Sequence, residues 1–482
     1  MKQENEGRSV HYREISFPAR RGSRTVRTRG FPGIYRHIYY NRQTAPSFCG
    51  KTQRCPRVPA QKSPMHKKMK TPPVNANPYA MKRLGFAPLW TCNQKCAFCA
   101  KGAPPPGTKA SLSTAEALAV MRKARLDGCD FLSVDGGEPT LRRDLPQLMS
   151  AAVKMGYSML AITTNAVALA DGKMVGEFGR RPELRGHLSF CVSLHSHQAG
   201  VSEKLTRAPG TFKATLAGIR ALDKAGFVFS LYHLITNLSF RALPRYADFI
   251  LKTFPRANAV TFSYMFPANH LGAEALALYP RISLTTPFLV KAVGLLEAAG
   301  IKTELSNCGI IPLCLMRGTE RLFLKTAQMA GSEFTTFDTS QMSPFPFFDN
   351  TFNRRIRTKG PACAKCFISR TCDGLWNLYS GKFGFSELRP FTGAYFRQLP
   401  GGSGKATLNL AGCVKAPDPE ALAMINALDL RYRGFSGLRL ENRTALGQGA
   451  ERLAAFAREA GLEILPDAPG KTAGPARKPR KH

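Results

Sequence analysis

The chain has 482 residues, and 44% of them are hydrophobic. This composition can supply a sizeable core, so it excludes a wholly disordered or fibrous protein. The net charge of +37 is strongly basic and suits anionic partners. No apolar run approaches the roughly 18 to 20 residues of a membrane span, and the first 30 residues lack the apolar stretch of a secretory signal. We therefore expect a cytoplasmic protein that is not membrane-bound.

Residues 1–80 predict a basic arm. They contain 17 Lys and Arg residues against three acids and no leucine, so they cannot bury enough apolar surface to offset the entropy of ordering. We expect a disordered arm, with a misassigned start and translation from Met65, Met69 or Met81 as one alternative. An RNA-binding or targeting arm is the other. Residues 471–482 predict a basic tail.

Residues 81–305 alternate short β-branched or aromatic runs with longer helical runs, as do β/α units around a parallel sheet. One helix start is a capping box in which Ser113 and Glu116 satisfy each other's backbone amides, and another lies at Thr211. Six or seven units are enough for a closed barrel or a partial one. The expected strands are 85–90, 131–135, 158–163, 188–195, 227–236, 259–266 and 301–305.

The alternation fades after the last of these strands. Residues 306–415 form a cysteine-bearing region with little periodicity. Residues 416–470 predict a small α/β appendage with the order helix, strand, helix, strand, in which 450–460 is the clearest helix.

A cysteine triplet stands directly after the first predicted strand, with Cys92, Cys96 and Cys99 on one short loop. The 13 cysteines of the chain are too sparse for a small disulfide scaffold, and in a reducing compartment such clustering favours metal. Gaps of three and two residues let a loop wrap around the corner of a cubane, which leaves the fourth iron without a protein ligand. A zinc knuckle with a fourth ligand from elsewhere is the alternative.

The triplet, with Phe98 before its last cysteine, resembles that of the radical S-adenosylmethionine (SAM) superfamily. The resemblance covers roughly residues 86–266. The segment 135–140, Asp-Gly-Gly-Glu-Pro-Thr, follows the second predicted strand, where that family places a similar segment against the methionyl amino group of SAM. A partial (β/α)6-type radical SAM barrel is the implied fold for residues 81–305.

The resemblance also implies a set of SAM contacts. They come from the segment after the second strand and from the ends of the third and fourth strands. These cofactor-binding residues are Gly136, Gly137, Glu138, Pro139, Asn165 and Ser193.

A second cysteine group lies beyond the barrel and resembles the SPASM and twitch extensions that carry auxiliary iron–sulfur clusters. Where the longer SPASM pattern has a further cysteine, this chain has Trp376, which favours one auxiliary 4Fe-4S cluster over two. Cys308 and Cys413 are substitutes for the ligand most distant in sequence, and structural zinc is the alternative metal. The expected ligands are Cys314, Cys363, Cys366 and Cys372.

Two further cysteines and two histidines are expected to have structural roles. Cys129 and Cys191 lie beside or inside predicted strands and are expected to be small buried hydrophobes. His195 and His197 stand near the end of the fourth strand, where a hydrogen-bonded wall residue is commoner than an acid or base.

The resemblance implies an oxidoreductase that cleaves SAM reductively at a 4Fe-4S cluster and abstracts hydrogen with a 5′-deoxyadenosyl radical. The leading hypothesis is modification of a peptide or protein, because the basic charge suits an acidic peptide. The alternative is a small-molecule biosynthetic intermediate. An electron donor such as flavodoxin or ferredoxin is expected as partner. A zinc-bearing nucleic-acid-binding protein is the third reading, but no groove-reading module supports it.

Overall fold

The computed structural model describes residues 82–102, 104, 107–265, 272–305, 311–317, 319–321, 324, 334–338, 356–414 and 418–466. The described residues all belong to one unit, 45–482, and the other unit comprises residues 1–44. The predicted arm 1–80, the tail 471–482 and Cys308 lie outside the described residues.

A parallel sheet of eight strands confirms the expected α/β fold. Its spatial order is β7-β6-β5-β4-β3-β2-β1-β8, so seven strands follow one another in chain order, as in a partial barrel, and the eighth adds beside the first. The strands are β1 (Arg83–Ala87), β2 (Phe131–Val134), β3 (Met159–Thr164), β4 (Leu188–Ser193), β5 (Val228–Ile235), β6 (Ala259–Tyr264), β7 (Lys302–Leu305) and β8 (Phe334–Asp338).

The first strand begins and ends earlier than expected, at Arg83 and Ala87 instead of 85 and 90. Pro88 has no amide hydrogen for a sheet ladder, and beyond it the chain turns to another partner. The amide of Trp90 donates to Ala110 O at 2.8 Å, and Leu89 forms an isolated bridge with Ser111. The strand β8 was not predicted, and it pairs with β1 over its whole length.

Helices separate most of these strands. The capping box is confirmed, since Glu116 N donates to Ser113 Oγ at 3.2 Å and Ser113 N donates to Glu116 Oε2 at 2.8 Å. Another helix does begin at Thr211, but its N-cap is Gly210. The helices are α1 (Thr114–Leu126), α2 (Leu145–Lys154), α3 (Lys173–Gly179), α4 (Ala199–Thr206), α5 (Thr211–Lys224), α6 (Leu243–Thr253), α7 (Ala273–Ala277) and α8 (Ile282–Ala298).

The two faces of the sheet differ in burial. Along β2, β3 and β4 the side chains alternate strictly between buried and half-buried. The buried set, such as Ile162 and Val192, belongs to the main apolar core. The half-buried set includes small polar residues such as Ser133, Thr163 and Ser193. One face of the sheet therefore packs against the core. The other face, which we call the inner face, carries half-buried groups that include hydrogen-bonding side chains.

The C-terminal part confirms the predicted order of helix, strand, helix and strand. Its sheet is parallel, and its first strand, Gly404–Asn409, begins before the proposed boundary at 416. Together these elements enclose a second apolar core. The bounds are β9 (Arg357–Thr358), β10 (Leu375–Trp376), α9 (Asn377–Phe383), α10 (Gly393–Arg397), β11 (Gly404–Asn409), α11 (Pro419–Tyr432), β12 (Phe435–Glu441), α12 (Gln448–Glu459) and β13 (Glu463–Ile464).

The cysteine-bearing region is fastened to the start of α8. The buried carboxylate of Glu387 accepts hydrogen bonds from the amide of Ser283 at 3.0 Å and from the hydroxyl of Tyr379. The amide of Ile282 donates to Tyr379 Oη at 2.9 Å. These bonds satisfy amides that the first turn of a helix leaves without partners. Across the described ranges, no helix is both long and apolar enough to cross a membrane.

Candidate active site and auxiliary cysteine site

The loop that carries the first cysteine triplet follows β1 and is held by the last residues of α4. The amide of Lys95 donates to Thr206 O at 3.0 Å, and the amide of Ala97 donates to Leu205 O at 2.9 Å. Cys92 and Cys99 are exposed. These two bonds to α4 fix the middle of the loop, while its outer cysteines, Cys92 and Cys99, stay at the surface. We call residues 91–99 the cluster loop.

The three thiols of the cluster loop lie close enough to interact electrostatically. Burial, together with Cys99 and Cys92, raises the pKa of Cys96 to about 12. Burial also raises the pKa of Cys92, with Cys99 adding to the effect. In the described part of the chain, no three His, Cys, Asp or Glu side chains are already grouped around a position for a single metal ion.

The Gly-Gly-Glu segment packs directly on the cluster loop. The amide of Gly137 donates to Leu89 O at 2.9 Å, and the amide of Glu138 donates to Thr91 O at 2.8 Å. A Cβ atom at Gly137 would lie 2.1 Å from Thr91 O. The neighbour that Gly137 approaches so closely is the backbone that leads into the cysteine triplet.

The side chain of Glu138 is 1% exposed and joins the segment to the end of β3. Its Oε1 accepts hydrogen bonds from the amide and hydroxyl of Thr140 at 3.0 and 2.6 Å and from Thr164 Oγ1 at 2.6 Å. Its Oε2 accepts from the amide of Asn165 at 2.7 Å. Burial raises the pKa of this carboxyl, although the four donors oppose that effect.

Asn165 lies beside the cluster loop. Its Nδ2 donates to Asn93 Oδ1 at 2.7 Å, and its Oδ1 accepts from the amide of Val167 at 3.0 Å. Sequence reasoning missed Asn93, Thr140 and Thr164. Asn93 stands inside the triplet and Thr164 precedes Asn165, so adjacency to the motifs was the available signal.

The fourth strand ends at Ser193, which is half-buried on the inner face of the sheet. Just beyond it, His195 is 4% exposed, and its Nδ1 accepts a hydrogen bond from the amide of Leu234 at 3.1 Å. Burial lowers the pKa of His195 to about 4. The ring of His195 therefore is a hydrogen-bonded wall residue, as expected, and His197 packs near the ring of Phe249.

The second cysteine group lines one small cavity. Burial raises the pKa of Cys314 to about 11 and that of Cys372 to about 12, and the thiols of Cys363 and Cys366 contribute to the shift at Cys314. The structure thus brings Cys314 together with three thiols from a later segment of the chain. Those lining the cavity are Cys314, Cys363, Cys366 and Cys372.

The other cysteines among the described residues lie away from this cavity. Cys413, a substitute ligand in the sequence analysis, packs in the C-terminal core, where Asn426 Nδ2 donates to its Sγ at 3.8 Å. Cys129 is buried in the main core, as expected. Cys191 is half-buried instead of buried, because its position in β4 faces the inner side of the sheet. Trp376, at the position of the missing SPASM cysteine, is 1% exposed and packs under Arg357.

Both cysteine groups fit iron–sulfur clusters chemically. The first offers three thiols from one loop, which suits a cubane with one iron left for another ligand. The second offers four thiols around a cavity, which completes the ligands of a cubane. A Cβ at Gly137 would clash with the backbone of Thr91, so the Gly-Gly-Glu segment and the cluster loop form one packed unit.

Comparison with known proteins identifies the class. Residues 91–250 match the family model of the radical SAM superfamily. The chain is 30% identical over 146 residues to a probable GTP 3′,8-cyclase of Saccharolobus solfataricus. The aligned region covers 30% of this chain and 45% of the relative. A probable GTP 3′,8-cyclase of Methanopyrus kandleri is 29% identical over 154 residues, 32% of this chain and 47% of the relative. The chain thus spans about half the length of the curated relatives it matches.

The solved structures that match include SuiB of Streptococcus suis bound to S-adenosylmethionine, with 14% sequence identity. The match covers 65% of this chain and 77% of that chain, and its TM-score is 0.45. Another is anSMEcpe with bound AdoMet and a peptide, at 13% identity, with coverage of 78% and 98% and a TM-score of 0.43. Residues 91–250 therefore form a domain of the radical SAM superfamily.

Proposed function

We propose that this protein is a radical SAM enzyme that abstracts hydrogen from a peptide or protein substrate and carries one auxiliary 4Fe-4S cluster. The observation that carries the proposal is the direct packing of the Gly-Gly-Glu segment on the cysteine-bearing loop. That contact unites, within the domain matched by the family model, the residues expected to hold the cluster and those expected to hold SAM.

Each part of the site has a task that follows from its contacts. Cys92, Cys96 and Cys99 hold the first cluster. The amides of Gly137 and Glu138 already donate to Leu89 O and Thr91 O. This segment therefore meets the methionyl ammonium of SAM with carbonyl oxygens, which are the acceptors that an ammonium needs. When bound, the reduced cluster and SAM supply a 5′-deoxyadenosyl radical.

A reactive radical requires a site that excludes water and holds the substrate carbon close. The rings of Phe98, His195 and Tyr232 form a wall, with edge-on contacts between neighbours at centroid distances of 4.8 and 6.5 Å. On the inner face of the sheet, the half-buried hydroxyls of Ser193 and Thr163 are available to the cofactor or the substrate. We assign Ser193 to SAM, and Asn165 lies near the bound cofactor.

The auxiliary site is assigned to Cys314, Cys363, Cys366 and Cys372 because these four thiols line one cavity. A peptide substrate is favoured by the basic charge of the chain. A small-molecule biosynthetic intermediate is the second candidate, and it is favoured by the sequence match to probable GTP 3′,8-cyclases. An acidic electron donor such as flavodoxin or ferredoxin would reduce the clusters, and the protein would work in the cytoplasm.

The test begins with protein purified without oxygen. About seven or eight irons per chain, and release of 5′-deoxyadenosine from SAM with a reductant, are expected for two cubanes. Cys96→Ala should abolish this release, whereas Cys366→Ala should leave some uncoupled cleavage without substrate turnover. Cys129→Ala, which removes a buried core thiol, is the matched control and should keep the iron and the activity.

Other outcomes separate the alternatives. Four irons with one zinc would keep the SAM chemistry and replace the auxiliary cluster by a structural metal. A colourless zinc protein whose affinity for nucleic acid falls steeply with salt would overturn the proposal. Candidate peptides and nucleotides offered to the wild-type enzyme would decide between the two substrate classes by coupled turnover.

A further inference from the structure

The cluster loop is tied to the end of β3 by a contact that the proposed function does not use. Asn93 lies between Cys92 and Cys96, and its Oδ1 accepts a hydrogen bond from Asn165 Nδ2 at 2.7 Å. The two residues are 72 positions apart in sequence. Asn165 is 6% exposed, whereas Asn93 is exposed. The bond therefore joins the buried Asn165 to the exposed part of the cluster loop between Cys92 and Cys96.

Three further hydrogen bonds hold the backbone and side chain of Asn165 in place. Its amide donates to Glu138 Oε2 at 2.7 Å, and its carbonyl oxygen accepts from Thr215 Oγ1 of α5 at 2.9 Å. Its Oδ1 accepts from the amide of Val167 at 3.0 Å. These bonds fix both the backbone and the side-chain amide plane of Asn165, so Nδ2 points at Asn93 without freedom to turn.

The turn after Asn165 is strained, and packing maintains it. Ala166 has φ +58 and is fully buried, and this left-handed conformation is unfavourable for a residue with a Cβ. Its carbonyl oxygen lies against Gly218 of α5, where an added Cβ would come within 2.1 Å of it. The neighbours thus hold Asn165 in a position that the free chain would not favour.

We infer that Asn165 is a positioning residue, which sets the conformation of the cluster loop through Asn93 and does not act by touching SAM. The inference rests on the proposed function and departs from the SAM contact that the family resemblance implied for Asn165. The Asn93 to Asn165 bond constrains the backbone between Cys92 and Cys96. Residues that orient the ligands of a metal site typically change affinity or activity by about 10- to 100-fold when they are removed.

The test is a double-mutant cycle with Asn93→Ala, Asn165→Ala and the double variant. Each single variant should slow the reductive cleavage of saturating SAM by about tenfold or more, and the double variant should be no worse than either. Both should shift the electron paramagnetic resonance signature of the reduced SAM-binding cluster in the same way. The KM for SAM should change by less than about threefold, because only the loop is displaced.

Two further variants keep the cycle interpretable. Asn165→Asp is similar in size but loses the Nδ2 donor, so it should reproduce Asn165→Ala. Asn258→Ala is the matched control, since Asn258 Nδ2 donates to Ser230 Oγ at 3.4 Å at the opposite end of the strands. It should leave the cleavage rate and the spectrum unchanged. A rise of tenfold or more in the KM for SAM with Asn165→Ala alone, or effects that multiply in the double variant, would overturn the inference.

Hydrogen exchange of residues 91–99 separates this inference from the proposed function, because it requires neither a cluster nor SAM. Asn93→Ala and Asn165→Ala should each accelerate exchange in the cluster loop by up to about tenfold, the factor expected for one lost hydrogen bond. Unchanged exchange in both variants would overturn the inference even when the wild-type enzyme cleaves SAM. Accelerated exchange in a protein that holds no iron would refute only the proposed function.

Discussion

The ring of Phe98 meets the ring of His195 edge-on, with the two centroids 4.8 Å apart. Phe98 precedes the last cysteine of the triplet, and His195 follows β4, so this contact joins the cluster loop to the carboxyl end of a neighbouring strand. The Nδ1 atom of His195 accepts from the amide of Leu234, which binds the same ring to β5. Three segments of the chain therefore meet at one histidine.

We expect His195→Asn to retain the release of 5′-deoxyadenosine within about threefold, because Asn Oδ1 can take the place of Nδ1 as acceptor for Leu234. A general acid or base would lose about 100-fold or more when replaced. His195→Leu leaves the buried amide of Leu234 without its acceptor, and it should lower the free energy of unfolding by roughly 1–3 kcal/mol. If both variants lost activity equally and neither lost stability, the interpretation of His195 as a hydrogen-bonded wall residue would be wrong.

The glycine at position 137 is required by its neighbours in space. A Cβ there would lie 2.1 Å from Thr91 O and 2.4 Å from Trp90 O, both backbone atoms of the segment that leads into the triplet. Gly137→Ala should therefore displace the cluster loop and reduce the iron retained per chain by about half, measured by iron analysis after anaerobic gel filtration. Gly179→Ala is the control, since nothing lies within 4 Å of a Cβ at that helical position. Full iron retention in Gly137→Ala would show that the loop accommodates the methyl group.

Acid should destabilise the protein through His233. Its ring is 1% exposed and packs on Tyr246 with a centroid distance of 4.3 Å. Burial, followed by the charges of His195 and His197, lowers its pKa from 6.5 to about 3. The unfolded chain binds the proton more tightly, so stability is present above pH 6.5 and is lost as the pH falls from 6.5 towards 3, by up to about 1.4 kcal/mol per pH unit.

His233→Phe keeps an aromatic ring in this pocket and removes the titration. The difference in melting temperature between wild type and variant should therefore grow in favour of the variant as the pH is lowered from 7 to 4. The measurement is differential scanning calorimetry of both proteins in matched buffers. Parallel losses of stability in the two proteins would assign the acid sensitivity to other groups.

The fourth thiol of the auxiliary site is predicted to be Cys314. It lines the same cavity as the later triplet, whereas Cys413 packs in the C-terminal core. Cys314→Ala should lower the iron content by about three to four per chain and bleach the corresponding part of the visible spectrum. Cys413→Ala should keep the iron and alter stability alone. The reverse pattern would assign the ligand to Cys413.

The local patterns of the chain determined much of the barrel. Strict alternation along β3 and β4, the capping box at Ser113 and the spacing of Cys92, Cys96 and Cys99 are properties of short segments, so a single sequence reveals them. The strand β8 escaped prediction because its pairing with β1 brings together residues about 250 positions apart, and no local period records such a partner.

Tertiary structure alone decided how the motifs meet. The resemblance named Gly137 as a SAM contact, but only the fold showed that its close neighbour is the backbone of Thr91. It likewise turned Asn165 towards Asn93 and gathered Cys314 with Cys366 around one cavity. Such contacts depend on the relative placement of whole strands and loops, which follows from packing the core as a unit and not from the propensities of any one segment.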